Sequence, residues 1–237
     1  MHKTIKVVLT QGIILKPIRR QLQKLLKSEE DEEALERFRR IMREIPYSFF
    51  EILREESPIE MVDVVETVRK VRLKIPAISD NPENIRRIKT AIAIARGAQK
   101  PLTIDLRECH GDIYFILGGF VSLFHGPLFS VESEKNYYTV AIEDGEVVKT
   151  RERLKCYQLP DDLAVICKVG QRTAAGGEIL AAILREAGAK IVGRRTAGML
   201  NIMRYCKFRE YVIGFPTAYI STPTHHYFRK QYLSPKT

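Results

Sequence analysis

The pattern over residues 163–196 restricts the fold of this chain more than any other feature of the sequence. Residues 163–170 (LAVICKVG) are apolar enough for a buried strand, and residues 173–188 (TAAGGEILAAILREAG) have the spacing of a helix that ends at Gly188. Residues 189–196 (AKIVGRRT) predict the next strand. A strand, a helix and a strand in this order favour a right-handed crossover between parallel strands. We therefore expect an α/β fold.

The segments around this unit extend the α/β pattern. The predicted elements are a strand over 101–107, a buried helix over 112–124, antiparallel strands over 129–133 and 137–150 with a turn at Asp144-Gly145, and a strand over 210–222. Residues 98–237 are therefore interpreted as an α/β core.

The first half of the chain is predicted to be helical after an opening pair of strands over residues 1–20. Apolar residues at helical spacing predict four helices, over 18–26, 34–45, 57–68 and 81–97. Ser28 with Asp31 resembles a capping box, Ser57-Pro58 and Asn81-Pro82 suit helix starts, and Gly97 suits a left-handed helix end. Residues 18–97 are expected to form a helical lobe over the α/β core, within a single domain.

Length and composition exclude several classes of protein. No run in the 237 residues approaches the roughly 18 apolar residues that a membrane span needs. The N-terminus lacks a signal-type cleavage site, which predicts a cytoplasmic protein. The four cysteines are too widely spaced for a zinc site, and the net charge of +10 is spread over helices where basic and acidic residues alternate. We expect no metal, no cofactor and no nucleic-acid partner, while a homo-oligomer stays open.

Chemistry is expected at two loops that follow predicted strands. One is residues 108–112 (ECHGD) and the other is residues 170–178 (GQRTAAGGE). The small residues at 174–177 allow a close backbone approach, and a helix that starts there directs its positive end at the same point, which suits a developing oxyanion. The alternative is that glycine and alanine only let this helix pack tightly on the sheet. The oxyanion interpretation requires the two loops to face one another across a shared cleft.

These two segments resemble the tail-specific, or C-terminal-processing, serine peptidases. Residues 101–124 are similar to the family segment of apolar strand, DLR, glycine-rich turn and small-residue helix, and residues 163–199 to its strand, T-A-S-x-x-E, helix and V-G-x-x-T-x-G. The matching residues are Asp105, Arg107, Thr173, Glu178, Gly193, Thr196 and Gly198. Residues 12–17 (GIILKP) more weakly resemble an early family strand. The resemblance implies a crotonase-like spiral of β-β-α units, to which the N-terminal helical lobe predicted above would be added. No PDZ segment is recognisable in the sequence.

The resemblance places the catalytic serine of the family at Ala175, where no hydroxyl exists. It places the lysine base at Met199, and the histidine base of other branches at Leu15 or Lys16. The implied oxyanion donors are backbone N–H groups around Gly111 and from Gly176, next to Gly177. Serine peptidase chemistry requires a nucleophile and a neighbouring base, so the chain as written should not use that route. An engineered Ser→Ala change and a natural loss of the nucleophile both remain open.

Other residues offer weaker candidates for the chemistry. His110 could serve as the base of a restored serine, although a surface histidine is the simpler interpretation. Cys109 next to it suggests a thiol nucleophile, but adjacent side chains rarely point at each other. Glu178 could orient a base or complement its own helix. The pair His225-His226 is weak support for a metal site.

Three functions stay open from the sequence. The first is a tail-specific-type serine peptidase, or its inactive Ser-to-Ala form, that binds an extended peptide or protein by strand addition beside an oxyanion hole. The second is a non-catalytic pseudo-peptidase that acts as a peptide-binding or scaffold protein. The third is an acyl-transfer enzyme of crotonase type, which the DLR and T-A-x-x-x-E patterns disfavour. Fold-level analogy does not decide among them.

Overall fold

The computed structural model describes residues 1–12, 14–28, 31–46, 48–52, 61–134, 136–155, 157–224, 226–227 and 233. The chain forms two compact units. Unit 1 is Met1–Ser57, Ser133–Lys135 and Asn201–Tyr219, and unit 2 is Pro58–Glu132, Asn136–Leu200 and Ile220–Thr237. The expected single domain with a helical lobe over residues 18–97 stays a prediction.

The described elements include both helices and strands, which confirms the mixed α/β fold. In chain order they are α1 (His2–Gln11), α2 (Lys16–Leu25), α3 (Glu32–Glu44), β1 (Phe49–Ile52), β2 (Asp63–Glu66), β3 (Val71–Lys74), α4 (Pro82–Gly97), β4 (Leu102–Asp105), α5 (Tyr114–Leu117), β5 (Gly126–Glu132), β6 (Tyr137–Glu143), β7 (Glu146–Thr150), β8 (Val165–Val169), α6 (Gly176–Glu186), β9 (Lys190–Gly193), β10 (Asn201–Phe208), β11 (Tyr211–Ser221) and β12 (His226–Tyr227).

Unit 1 packs three amphipathic helices against antiparallel strands. Both β1 and β10 pair antiparallel with β11. The apolar faces of the helices form one core with two residues of β11, Ile213 and Phe215, and Phe38 of α3 is completely buried in it. The burial of these apolar side chains supplies the main favourable term for folding this unit.

The predicted pair of N-terminal strands is wrong, because residues 2–11 form helix α1. Ile5 and Val8 are three residues apart and both are fully buried, as on one face of a helix. A short run of β-branched residues does not distinguish a strand from a buried helix by composition alone. The early strand that the resemblance implied over residues 12–17 is wrong, because Gly12, Ile14 and Leu15 lie between α1 and α2, and Lys16 and Pro17 begin α2. Ile13 lies outside the described residues.

Unit 2 contains a five-stranded sheet in the order β2-β3-β4-β8-β9. Strands β3, β4, β8 and β9 are parallel, and β2 is antiparallel to β3. The crossover from β8 through α6 to β9 confirms the predicted strand–helix–strand unit. An antiparallel meander of β5, β6 and β7 turns at Asp144 and Gly145, both with positive φ, as predicted.

Three predicted helices of unit 2 had different outcomes. The third helix is wrong over its described part, since Val64 and Val65 lie in β2, where β-branched residues are favoured; residues 57–60 lie outside the described chain. The fourth is confirmed as α4, capped by the Asn81 side chain, but the left-handed residue after it is Gln99 rather than Gly97. The buried helix predicted over 112–124 is confirmed only over α5, which has four residues.

No helix among the described residues has the length and apolar character needed to cross a membrane.

The structure predicts the contribution of the cap of α3. The predicted capping box of Ser28 with Asp31 is wrong, because Asp31 is itself the N-cap of α3: its side chain accepts a hydrogen bond from the Ala34 N–H at 2.7 Å, while the Ser28 hydroxyl donates to the Leu25 carbonyl. Replacing Asp31 by alanine should lower the free energy of unfolding by about 1 kcal/mol, measured by urea denaturation. Asp31→Asn, which keeps a side-chain acceptor, is the matched control. Equal losses in both variants would contradict the assigned cap.

Candidate active site

Three loops of unit 2 meet beyond the carboxyl ends of parallel strands. We call residues 106–112 the glycine turn and residues 170–175 the helix-start loop. The third segment, residues 75–78, follows β3, and its Ile78 N–H donates to the carbonyl of His110 at 2.7 Å. The carboxyl ends of parallel strands are the usual location of sites in α/β sheets.

The glycine turn and the helix-start loop are in direct contact. The sequence analysis expected these two loops to lie close together. The Ala174 N–H donates to the Cys109 carbonyl at 2.9 Å. Thr173, which is completely buried, donates its hydroxyl hydrogen to the Leu106 carbonyl at 2.7 Å and accepts from the Gly170 N–H at 2.9 Å. The two backbones are thus joined by hydrogen bonds, instead of lying on opposite walls of an open cleft.

Ala175 stands immediately before α6 in a backbone conformation that is rare for a residue with a side chain. Its φ is 47° and its ψ is −120°, and only 9% of the residue is exposed. A residue held outside the ordinary regions costs about 1–3 kcal/mol, and such residues cluster at functional sites. A sharp, strained turn between strand and helix is the geometry that presents the nucleophile in α/β-hydrolases. Here the turn presents a methyl group.

Gly176 and Gly177 let the start of α6 pack directly on the glycine turn. A β-carbon at Gly176 would lie 2.5 Å from the Gly111 carbonyl oxygen, and one at Gly177 would lie 2.4 Å from that of Cys109. The Gly176 N–H donates to the Gly111 carbonyl oxygen at 2.8 Å. The donor that was assigned to an oxyanion therefore already has a protein acceptor. Sequence reasoning missed this bond, because no residue pattern reports the direction of a backbone carbonyl.

Glu178 is the centre of a buried polar network at the start of α6. Its carboxylate is completely buried and accepts hydrogen bonds from the N–H groups of Gly198, at 2.7 Å, and of Met199. Burial raises the pKa of Glu178, although hydrogen bonds from Thr196, Gly198, Met199 and the Ala175 backbone favour the charged form. Glu178 thus connects the backbone at the expected nucleophile position to the backbone at the expected lysine position.

Of the three positions that the resemblance assigned to a family base, Met199 and Leu15 carry apolar side chains, and the third is Lys16. Met199 is half-buried, and its backbone is fixed by Glu178. Leu15 and Lys16 begin helix α2 in unit 1, and Leu15 is 51% exposed. His110 is exposed, and its Nδ1 lies 3.1 Å from the Glu108 carbonyl oxygen of the same turn. Its assignment as a base stays a prediction.

The remaining candidates receive little support. Burial raises the pKa of the Cys109 thiol, which lowers the thiolate fraction that a nucleophile needs. His225 lies outside the described residues. Among the residues that the structure describes, no three or more His, Cys, Asp or Glu side chains are grouped as metal ligands would be.

Asp105 and Arg107 shape the end of β4 through a two-pronged ion pair. The guanidinium Nε and Nη2 of Arg107 donate to the two carboxylate oxygens of Asp105 at 2.9 and 2.7 Å. Burial alone would raise the pKa of Asp105, but the hydrogen bonds and charge of Arg107, with a contribution from Lys168, hold that pKa below its ordinary value. The pair fixes the direction in which the chain enters the glycine turn.

Comparison with known proteins agrees with this geometry. The family model described as peptidase family S41 matches residues 72–237. None of the curated proteins matches the chain in sequence. The chain belongs to peptidase family S41, a class of peptidases with an α/β fold.

Solved structures share this fold at low sequence identity. A lipoprotein from Streptococcus agalactiae has a TM-score of 0.64 and 18% identity, with 99% of this chain and 90% of that chain covered. The photosystem II D1 C-terminal processing protease has a TM-score of 0.56 and 15% identity, and 78% of this chain matches 49% of that chain. Mature CPAF complexed with lactacystin has a TM-score of 0.52 and 11% identity, covering 78% and 51%. This chain therefore matches about half of each of the last two.

The packing of Gly176 predicts a large difference between two glycines. Gly176→Ala should lower the free energy of unfolding by about 1–3 kcal/mol, because the new methyl group meets backbone atoms of Gly111 and Ile113 that cannot rotate away. Gly97→Ala, in α4 with no atom within 4 Å of the new β-carbon, should leave stability unchanged or raise it by up to about 1 kcal/mol. Chemical denaturation of both variants measures the difference, and equal effects would show that the start of α6 is loosely packed.

The ion pair at the end of β4 predicts a pH-dependent stability. Because the pKa of Asp105 is lowered in the folded protein, its contribution should be complete above the unfolded pKa of about 3.9 and should be lost as pH falls through the lower folded pKa. The stability advantage of the native chain over Asp105→Asn should therefore shrink between pH 6 and the acid limit of folding, measured by urea denaturation at about five pH values. Arg107→Gln should weaken this pH dependence, and a pH-independent difference would contradict the assignment.

Proposed function

We propose that this chain binds an extended peptide beside the start of α6 and does not hydrolyse it by the serine route. The observation that carries the proposal is Ala175, whose methyl group occupies the strained turn where the resemblance places the nucleophile. A nucleophile and an adjacent base are both required for covalent peptide hydrolysis. Met199 at the family lysine position has no basic group, so the second requirement is unmet as well.

The preserved backbone supports a binding role. Thr173 and Glu178 hold the helix-start loop and the loop of residues 194–199 by buried hydrogen bonds. Backbone groups in such a frame recognise the main chain of a peptide without any catalytic side chain. Strand β9 forms one edge of the five-stranded sheet among the described strands, and its carboxyl end leads into residues 194–199. A peptide added to this edge as a further strand would therefore approach Ala175.

The same proposal covers the partners and the compartment. The ligand is a peptide or an unfolded protein segment rather than a nucleic acid, because several arginines of the helices already pair with glutamates, as Arg37 does with Glu33 and Arg87 with Glu83. Assembly as a homo-oligomer and a cytoplasmic location remain predictions from the sequence.

Restoring the hydroxyl tests this function. The native chain, Ala175→Ser and Ala175→Ser/Met199→Lys are incubated with fluorescent unstructured peptides, with binding followed by fluorescence anisotropy, cleavage by mass spectrometry and nucleophilicity by fluorophosphonate labelling. We expect binding without cleavage for the native chain and no cleavage for Ala175→Ser, since a missing general base typically costs a factor of about 10²–10⁴. The double variant should show the first measurable labelling. Ala174→Ser places a hydroxyl one residue away and is the matched control.

Two outcomes would contradict the proposal. Hydrolysis by Ala175→Ser alone would identify a complete peptidase framework with a base elsewhere, and a further His110→Ala change would then test that histidine. Absence of peptide binding both by the folded native chain and by a folded variant with a destabilised glycine turn would reject the binding role itself.

A further inference from the structure

The donors at the start of α6 are all directed at the protein itself. The N–H groups of Ala174, Gly176 and Gly177 donate to the carbonyls of Cys109, Gly111 and Ala174, at 2.9, 2.8 and 3.0 Å. The Ala175 backbone is hydrogen-bonded to the carboxylate of Glu178. A ligand carbonyl can therefore gain a backbone donor here only if one of these internal acceptors is displaced.

The acceptors differ in how easily they can move. Cys109 is completely buried and packs against Gly177, and the Glu178 carboxylate holds two further N–H groups. Displacing either would leave buried polar groups without partners, which costs about 1–3 kcal/mol for each group. Gly111 is only half-buried and lies between the exposed residues His110 and Asp112. The Gly111 carbonyl is thus the acceptor that can leave with the least loss of burial.

Gly111 also occupies a backbone conformation that defines the present state of the turn. Its φ is 114°, and a β-carbon there would lie 2.4 Å from the Ile78 carbonyl oxygen. A parallel bridge between Ile78 and Gly111 holds the turn in this position. The present position of the Gly111 carbonyl therefore depends on the backbone contacts of Gly111 with Ile78 and Gly176.

We infer that the glycine turn blocks the peptide site from within, and we call it the plug. In the closed state the Gly111 carbonyl accepts the hydrogen bond of the Gly176 N–H, and the carbonyl of an incoming peptide replaces it as the acceptor. This inference rests on the proposed peptide binding. Opening is a rotation of the Gly111–Asp112 peptide unit that removes its carbonyl from Gly176. Because one hydrogen bond to Gly176 is exchanged for another, the net change from that exchange is small. The apparent affinity for peptide is then the affinity of the open state multiplied by the fraction of molecules that are open.

Nuclear magnetic resonance of the deuterated full chain tests the plug directly. We expect a through-hydrogen-bond coupling between the Gly176 amide nitrogen and the Gly111 carbonyl carbon in the free protein, and its loss when the protein is saturated with an unstructured peptide. The coupling for Ala174 to Cys109 should persist and serves as the internal control. A missing Gly176 coupling in the free protein, or one that survives peptide saturation, would overturn the inference.

A variant tests the plug independently of this coupling. Gly111→Ala cannot keep the φ and the Ile78 contact of the closed turn, so it should weaken the plug and tighten peptide binding by about 5- to 30-fold. Gly118→Ala, whose new β-carbon meets no atom closer than 3.9 Å, is the control and should leave the affinity unchanged. Thermal unfolding confirms that both variants are folded.

The outcomes separate the plug from the proposed function. If the native chain binds no peptide but Gly111→Ala does, the plug is supported and the closed state explains the native result. If neither binds, the peptide-binding function and the plug both fail. If the native chain binds peptide and Gly111→Ala binds it no more tightly, the function stands and the plug is rejected.

Discussion

The buried carboxylate of Glu178 is the interaction on which the candidate site depends. It lies at the start of α6, completely buried, and binds the backbone of Gly198 and Met199 while also bonding to that of Ala175. A buried carboxylate is costly to desolvate unless its lone pairs are occupied. Here the donors are the Thr196 side chain and backbone groups from separate loops, so the same bonds that stabilise Glu178 also fix those loops relative to α6.

Because of this arrangement, the candidate site is formed mainly by hydrogen-bonded backbone groups rather than by side chains. Thr173 joins the helix-start loop to the end of β4, and Gly176 and Gly177 bring α6 within hydrogen-bond distance of the glycine turn. The helix start directs its N–H groups at carbonyls of its own protein, which satisfies the unpaired donors that every helix start has. The resemblance places the serine of the family at Ala175, which has no hydroxyl, and the Gly176 N–H beside it already donates to the Gly111 carbonyl.

The sequence predicts the centre of unit 2 well, but it predicts residues 2–11 of unit 1 and residues 61–68 of unit 2 poorly, for a physical reason. Residues 163–196 combine apolar strands, a helix and glycines at its ends, and such a segment strongly favours a parallel crossover on a sheet. Residues 2–11 and 61–68 are short and rich in β-branched residues, and their structure is decided by the partners they pack against. The resemblance located the glycine turn and Glu178, but the direction of the Gly111 carbonyl depends on torsion angles that residue identity does not encode.

The strained backbone of Ala175 orients the main-chain donors at the start of α6. Its φ of 47° is unfavourable for alanine, and a chain with no nucleophile to present gains nothing from aiming a methyl group. The same φ and ψ, however, place the Ala175 backbone against Glu178 and the following Gly176 N–H against the glycine turn. The strained turn thus orients main-chain donors whether or not a hydroxyl is present. A frame of this kind suits the proposed recognition of another main chain.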